Sequence, residues 1–248
     1  MRNYALCDLD MAGVRWELTE SAQKTDIKRA PVQQNLPTNT KEETKPIIIP
    51  ASAPITLDTV KSMVARPVDT DSLVRMIGEF NHPLRSGATN VVLPNIAIKP
   101  NGLLIITDLP SSDDDLSGKI LSGAAGELTD KMLNAIGMSR ESVSIVPLLF
   151  WRTPGGRSPN REELDLSMPF VDKMVEMLAP RVIITFGTVA TTEFAKTSLS
   201  DKHGAQIIDD KGHIIVPMYH PNYLILKPSA KKDVWDALQN VQKLLKNP

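Results

Sequence analysis

Apolar residues fall into short dense blocks separated by polar stretches, and the spacing inside each block predicts the element it forms. Leu103-Leu104-Ile105-Ile106-Thr107 is a run without alternation, the pattern of a strand buried on both faces. Val143-Ser144-Ile145-Val146, Arg181-Val182-Ile183-Ile184-Thr185-Phe186 and Ile214-Ile215-Val216-Pro217-Met218-Tyr219 repeat it. Between and after them, helical periodicity covers Glu127 to Ile136, Arg161 to Leu178, Thr188 to Lys196 and Asp233 to Leu245. Strands alternating with helices predict an α/β fold: a three-layer α/β/α sandwich around a mainly parallel four-stranded sheet. In such sheets ligands bind beyond the carboxyl ends of the strands. That rule singles out Asp108 to Ser111, Pro147 to Gly156, Gly187-Thr188 and His220-Pro221-Asn222.

The first third of the chain has a different texture. Tyr4, Leu6, Met11, Val14, Trp16 and Leu18 give a loose helical stripe, so residues 1–19 are expected to hold an amphipathic helix suited to a protein partner. Residues 20–54 are rich in Ser, Thr, Gln, Lys and Pro and carry too little apolar surface to offset ordering, which predicts a flexible linker. Residues 55–80 read as a helical lead-in, Thr56 to Ala65 and then Asp71 to Phe80, before a compact domain at 81–248.

Composition narrows the class. With one cysteine, Cys7, in 248 residues, the chain forms no internal disulfide and no cysteine-ligated cluster, which fits a reducing cytoplasm. No apolar run approaches the roughly 20 residues that cross a bilayer, so no membrane partner is expected. The net charge of −1 argues against indiscriminate coating of nucleic acid and leaves room only for local contacts. Walker, GxGxxG and HExxH patterns are missing from the sequence.

Candidate chemistry gathers at the strand ends. Asp108 either faces the cleft as a carboxylate that orients water or caps its own turn. His220 sits in Tyr219-His220-Pro221-Asn222-Tyr223, where the proline fixes the turn and aims the imidazole. Arg152-Thr153-Pro154-Gly155-Gly156-Arg157 is either a phosphate-binding loop or an ordinary solvated one. Lys227, Lys231 and Lys232 add a basic stretch. Trp151 and Trp235 are core residues or stacking platforms. The run Asp113-Asp114-Asp115 reads as a cap or solvated loop, and no metal site is expected.

These residues together resemble a family. Pro83-Leu84, Ala88-Thr89-Asn90-Val91-Val92, Gly118, Gly123-Ala124-Ala125-Gly126-Glu127-Leu128 and Asp130-Lys131-Met132-Leu133 occur in order. Ile136-Gly137, Arg152 to Arg157, Pro169-Phe170, Pro180 to Ile184 with Gly187, and Tyr219-His220-Pro221 follow. In order and spacing the chain is similar to the uracil-DNA glycosylase superfamily, in particular its bacterial and archaeal family 4 branch. The resemblance implies excision of uracil from DNA, the base being extruded and its bond to the sugar hydrolysed; the expected partner is single- or double-stranded DNA and the expected state a monomer. It implies that His220 stabilises charge on the departing base and that Asp108 positions water. Leu109, Pro110, Leu121 and Pro147 would line the base pocket. Arg152, Arg157, Asn222 and Lys227 would hold the strand, with Tyr223 and Leu224 near the side chain pushed into the duplex.

The sequence departs from the family pattern at specific points. GEAPG reads Thr107-Asp108-Leu109-Pro110-Ser111, the stacking phenylalanine falls at Leu121, and the asparagine that reads uracil falls at Pro147. A proline offers no polar side chain and no backbone N–H to a base edge. The positions of the iron–sulfur cysteines carry residues such as His82, Trp151 and Ser167, so no cluster and no other cofactor are expected. These departures leave three readings: a retained glycosylase, a glycosylase of altered base specificity, and a catalytically inactive module that binds DNA or scaffolds a partner.

Overall fold

A computed structural model describes residues 55–246. The expected helix at 1–19 and the linker at 20–54 lie outside these residues.

Four strands, β1 (Leu103–Thr107), β2 (Ser144–Pro147), β3 (Val182–Phe186) and β5 (Ile214–Met218), pair in parallel. A fifth, β4 (Ile207–Ile208), pairs antiparallel with β5 at the edge and completes the order β2-β1-β3-β5-β4. The expectation of four strands is corrected by this two-residue strand. It is too short to show any periodicity and is set by the turn after it, where Asp209 Oδ1 accepts the backbone N–H of Lys211 and of His213.

The predicted helices form around the sheet as α1 (Leu57–Val64), α2 (Thr70–Glu79), α4 (Gly123–Ala135), α5 (Arg161–Leu178), α6 (Thr188–Glu193) and α9 (Lys231–Lys246), joined by three short helices that the periodicity did not predict, α3 (Ser112–Ser117), α7 (Leu199–Lys202) and α8 (Pro221–Leu226). Their starts follow from the sequence. Thr56 and Asp69 cap α1 and α2, while Ser111 with Asp114 and Asn160 with Glu163 form reciprocal capping boxes on α3 and α5.

Strand alternation divides the core. Leu104, Ile106, Val146 and Ile183 pack with α1, α2 and α5, whereas Leu103, Ile105, Ile145 and Ile184 pack with α4, α8 and α9. Val60, Leu73 and Ile77 are fully buried in the first of these layers, so the helical lead-in shares the core of the domain it precedes. No helix among the described residues is long and apolar enough to cross a membrane.

Candidate active site

Asp108 leaves β1 beside the start of α6. Its Oδ1 accepts the backbone N–H of Ala190 at 2.6 Å, and the amides of Thr188 and Val189 also reach the carboxylate. A helix start offers such unpaired N–H groups. Gly187 makes the approach possible: it holds φ at +100°, and a Cβ there would lie 2.1 Å from Asp108 Oδ2. Burial pushes the carboxyl up to about 6, against the pull of the three amides.

His220 follows β5, the strand two places along the sheet from β1. It is the residue before Pro221, which opens α8, and its Nδ1 accepts the Asn222 backbone N–H at 3.1 Å. Burial pulls the imidazole down to about 4, so the ring is neutral near pH 7. With Nδ1 accepting, the single ring proton sits on Nε2. Nε2 lies 3.1 Å from the Thr107 hydroxyl oxygen and donates to it.

Asp108 and His220 both line a cavity of about 500 Å³ at the strand ends, with Gly187, Thr188, Thr192, Ser198 to Ser200, Tyr219 and Tyr223. A larger groove of about 680 Å³ between α1 and α5 is lined by Lys61, Pro169, Asp172 and Lys173. The strand-end cavity is the stronger candidate because two groups with displaced pKa values converge there.

Of the expected pocket residues, Leu109 is half-buried, and Pro110, Leu121 and Pro147 are buried. None of the four lines the strand-end cavity. Pro147 ends β2 in register with Thr107. Leu121 adopts φ +50°, and its carbonyl, with that of Ile120, accepts from the Arg140 guanidinium at 2.7 Å. The acidic run is structural: Asp114 accepts Ser111 and Ser122 N–H groups, and Asp115 accepts those of Thr89 and Asn90.

The DNA-contact candidates separate. Arg157 is held by both carboxylate oxygens of Glu163, one contact at 2.9 Å, while Arg152 forms no ion pair among the described residues. Asn222 and Lys227 are exposed, and the Lys227 ammonium lies 5.8 Å from the centre of the Tyr223 ring. The Tyr223 ring lies tilted against Tyr219 at 4.8 Å, and Tyr219 stacks at 4.1 Å on His203. Leu224, expected beside the duplex wedge, is 1% exposed and packs into the core; α8 instead presents Tyr223, Ile225 and Leu226 to solvent. Its position, three residues after Pro221 on the face toward α4, forces that burial.

Trp151 is core, stacked at 4.5 Å on His82. Both His82 nitrogens are engaged, accepting from Leu84 N–H and donating to the Glu163 carbonyl, and Ser167 donates to the Leu148 carbonyl. An imidazole so occupied, an indole and a hydroxyl do not fit an iron–sulfur cluster, and no step is derived through one. Among the described residues no cluster of His, Cys, Asp and Glu could hold a metal ion.

Sequence reasoning singled out Asp108 and His220 from their places after strands, and the structure brings both to one cavity. It missed Thr107, whose signal was a hydroxyl ending an otherwise apolar buried strand, and Ser198 and Ser200, which carry no pattern.

The profile of the Uracil DNA glycosylase superfamily matches residues 96–241, more than half of the chain. The Type-4 uracil-DNA glycosylase of Archaeoglobus fulgidus is 27% identical over 186 residues, covering 70% of this chain and 92% of that protein. The corresponding protein of Sulfurisphaera tokodaii is 26% identical over 156 residues, 59% of this chain and 71% of that one. A DNA polymerase of Bacillus phage SP01 is 25% identical over 127 residues, 51% of this chain and 14% of the polymerase.

Proposed function

We propose that this chain, which belongs to the Uracil DNA glycosylase superfamily, hydrolyses the bond between a base and deoxyribose in DNA. The observation that carries the reading is the convergence of a neutral, Nε2-protonated His220 and a desolvated Asp108 carboxylate on one strand-end cavity. As the bond breaks, its electron pair leaves with the base, and the charge that develops on a base carbonyl is stabilised by a hydrogen bond from His220 Nε2–H. The sugar left behind is cationic at C1′. Asp108 offsets that charge and accepts the proton of the water that adds there, above about pH 6 where it is ionised. Arg152, Asn222 and Lys227 hold the strand, and Tyr223 offers a ring face to a base.

Base selection is the property most altered. Sites that read a base edge by hydrogen bonds discriminate by about 10⁴–10⁵, and Pro147 supplies none. The reading is therefore excision with relaxed selectivity, by a cytoplasmic monomer whose residues 1–19 engage a protein partner. Incubating the full chain with uracil-containing single- and double-stranded oligonucleotides, and with a panel of modified bases, tests it. Abasic product that falls to background in His220→Ala is expected; equal background from both proteins on every base overturns it. A second reading, DNA binding without cleavage, is favoured by the hydroxyl that already occupies the His220 donor. Salt-dependent binding with no product distinguishes it.

A further inference from the structure

We propose that Thr107 is a latch on His220: its hydroxyl takes the Nε2–H that a bound base would need, so a ligand gains the histidine only by opening that hydrogen bond. The inference rests on the glycosidic reading for its chemistry, and on the structure for its geometry.

His220 has one proton to give. Its Nδ1 is committed to the Asn222 backbone N–H, and its Nε2–H is spent on Thr107 at 3.1 Å. Both hydrogen-bonding positions of the ring are thus satisfied within the chain, and a buried donor already satisfied gains little by exchanging one acceptor for another.

The surroundings of Thr107 make the bond hard to open. Strand alternation puts Thr107 on the same sheet face as Leu103 and Ile105, the face covered by α4, α8 and α9. Its register partners are Pro147 on one side and Phe186 on the other. Thr107 is 3% exposed and its register neighbour Phe186 1%, so the hydroxyl lies on a covered part of the sheet. Asp108, one residue on, opens instead to the cavity beside α6. Asp108 and the His220 ring thus face one cavity while the His220 donor is engaged by Thr107, and the specificity of the site depends on how readily Thr107 yields.

Isotope-edited NMR of histidine in the full chain tests this, with free uracil as the probe. In the wild type and in Thr107→Ser the His220 Nε2–H is expected as a slowly exchanging, hydrogen-bonded proton. Thr107→Val keeps the volume but loses that signature and still excludes uracil. Thr107→Ala loses it and makes room, so uracil perturbs the His220 nitrogens at roughly tenfold lower concentration than in the wild type, the scale of one net hydrogen bond. Backbone amide spectra establish that each variant is folded. An unchanged Nε2–H signal in Thr107→Ala, or equal uracil response in Thr107→Ala and wild type, overturns the latch. If the nitrogens respond as expected while no variant releases a base from DNA, the latch stands and the glycosidic reading fails.

Discussion

Asp108 and His220 are displaced from their ordinary values by the same cause, burial, and in opposite directions, to about 6 and about 4. Between about pH 4 and 6 the folded chain keeps a proton on Asp108 that the unfolded chain has released. The contribution of Asp108 to stability therefore falls as pH rises through that window. Over about pH 4 to 6.5 the unfolded chain holds a proton on His220 that the folded chain has lost, so the contribution of His220 rises with pH. The two oppose each other over nearly one window. Relative to wild type, Asp108→Asn should gain stability from pH 4.5 to 6.5 and His220→Gln should lose it, as read by urea unfolding across that range. Stability curves parallel to wild type in both variants would count against buried titration at these sites. At this scale the sequence was informative where a polar residue follows a strand, as Asp108 and His220 do. It was silent on Thr107 because a threonine inside a strand is also an ordinary β-former, and only the approach of α8 from 113 residues away gives its hydroxyl a partner.

At the scale of elements, the longer helices were legible from their period and the parallel strands from unbroken apolar runs buried on both faces. The turns that shape the site were not. The segment Lys119 to Ser122 is held by groups distant in sequence: Arg140 on the carbonyls of Ile120 and Leu121, and Asp114 on the Ser122 amide. Arg140 is itself fixed by Asp130, 2.6 Å away. Gly126 completes the fit, since a Cβ there would lie 2.0 Å from the Leu121 carbonyl oxygen. Leu121 thereby keeps its left-handed backbone, which costs a branched residue free energy that the guanidinium offsets. Arg140→Ala leaves two inward carbonyls without a charged donor. It is expected to destabilise the fold by about 2–3 kcal/mol and to raise hydrogen exchange at Leu121 and Ser122 before exchange elsewhere rises. Uniform acceleration across the sheet would show that the turn has no separate stability. The run Asp113-Asp114-Asp115 illustrates the limit of sequence reading here: its helix-capping role was visible locally, whereas the amides of Thr89 and Ser111 that it also holds lie 22 residues apart in the chain and meet only in the fold.

For the whole molecule, a net charge of −1 means that attraction to a phosphate backbone must come from cations placed together and left unpaired. The structure sorts them. The Arg157 guanidinium is gripped by Glu163, which that pairing holds below the usual carboxylate range, and its charge is already neutralised. Arg152 lies on the same loop without an ion pair among the described residues, and Lys227 stands over Tyr223 at the rim of the cavity. Neutralising a phosphate releases counterions, and each contact steepens the fall of log K with log salt by about 0.7 on a single strand. A cation that keeps its carboxylate partner releases none. Fluorescence anisotropy with a single-stranded oligonucleotide from about 50 to 200 mM salt should therefore give a slope flattened by about 0.7 in Arg152→Ala and in Lys227→Ala. Arg157→Ala should leave the slope at its wild-type value, since what it removes is a loop-to-helix tie and not a phosphate contact. An equal flattening in Arg157→Ala would mean that DNA displaces Glu163, and that the cleft is rebuilt on binding.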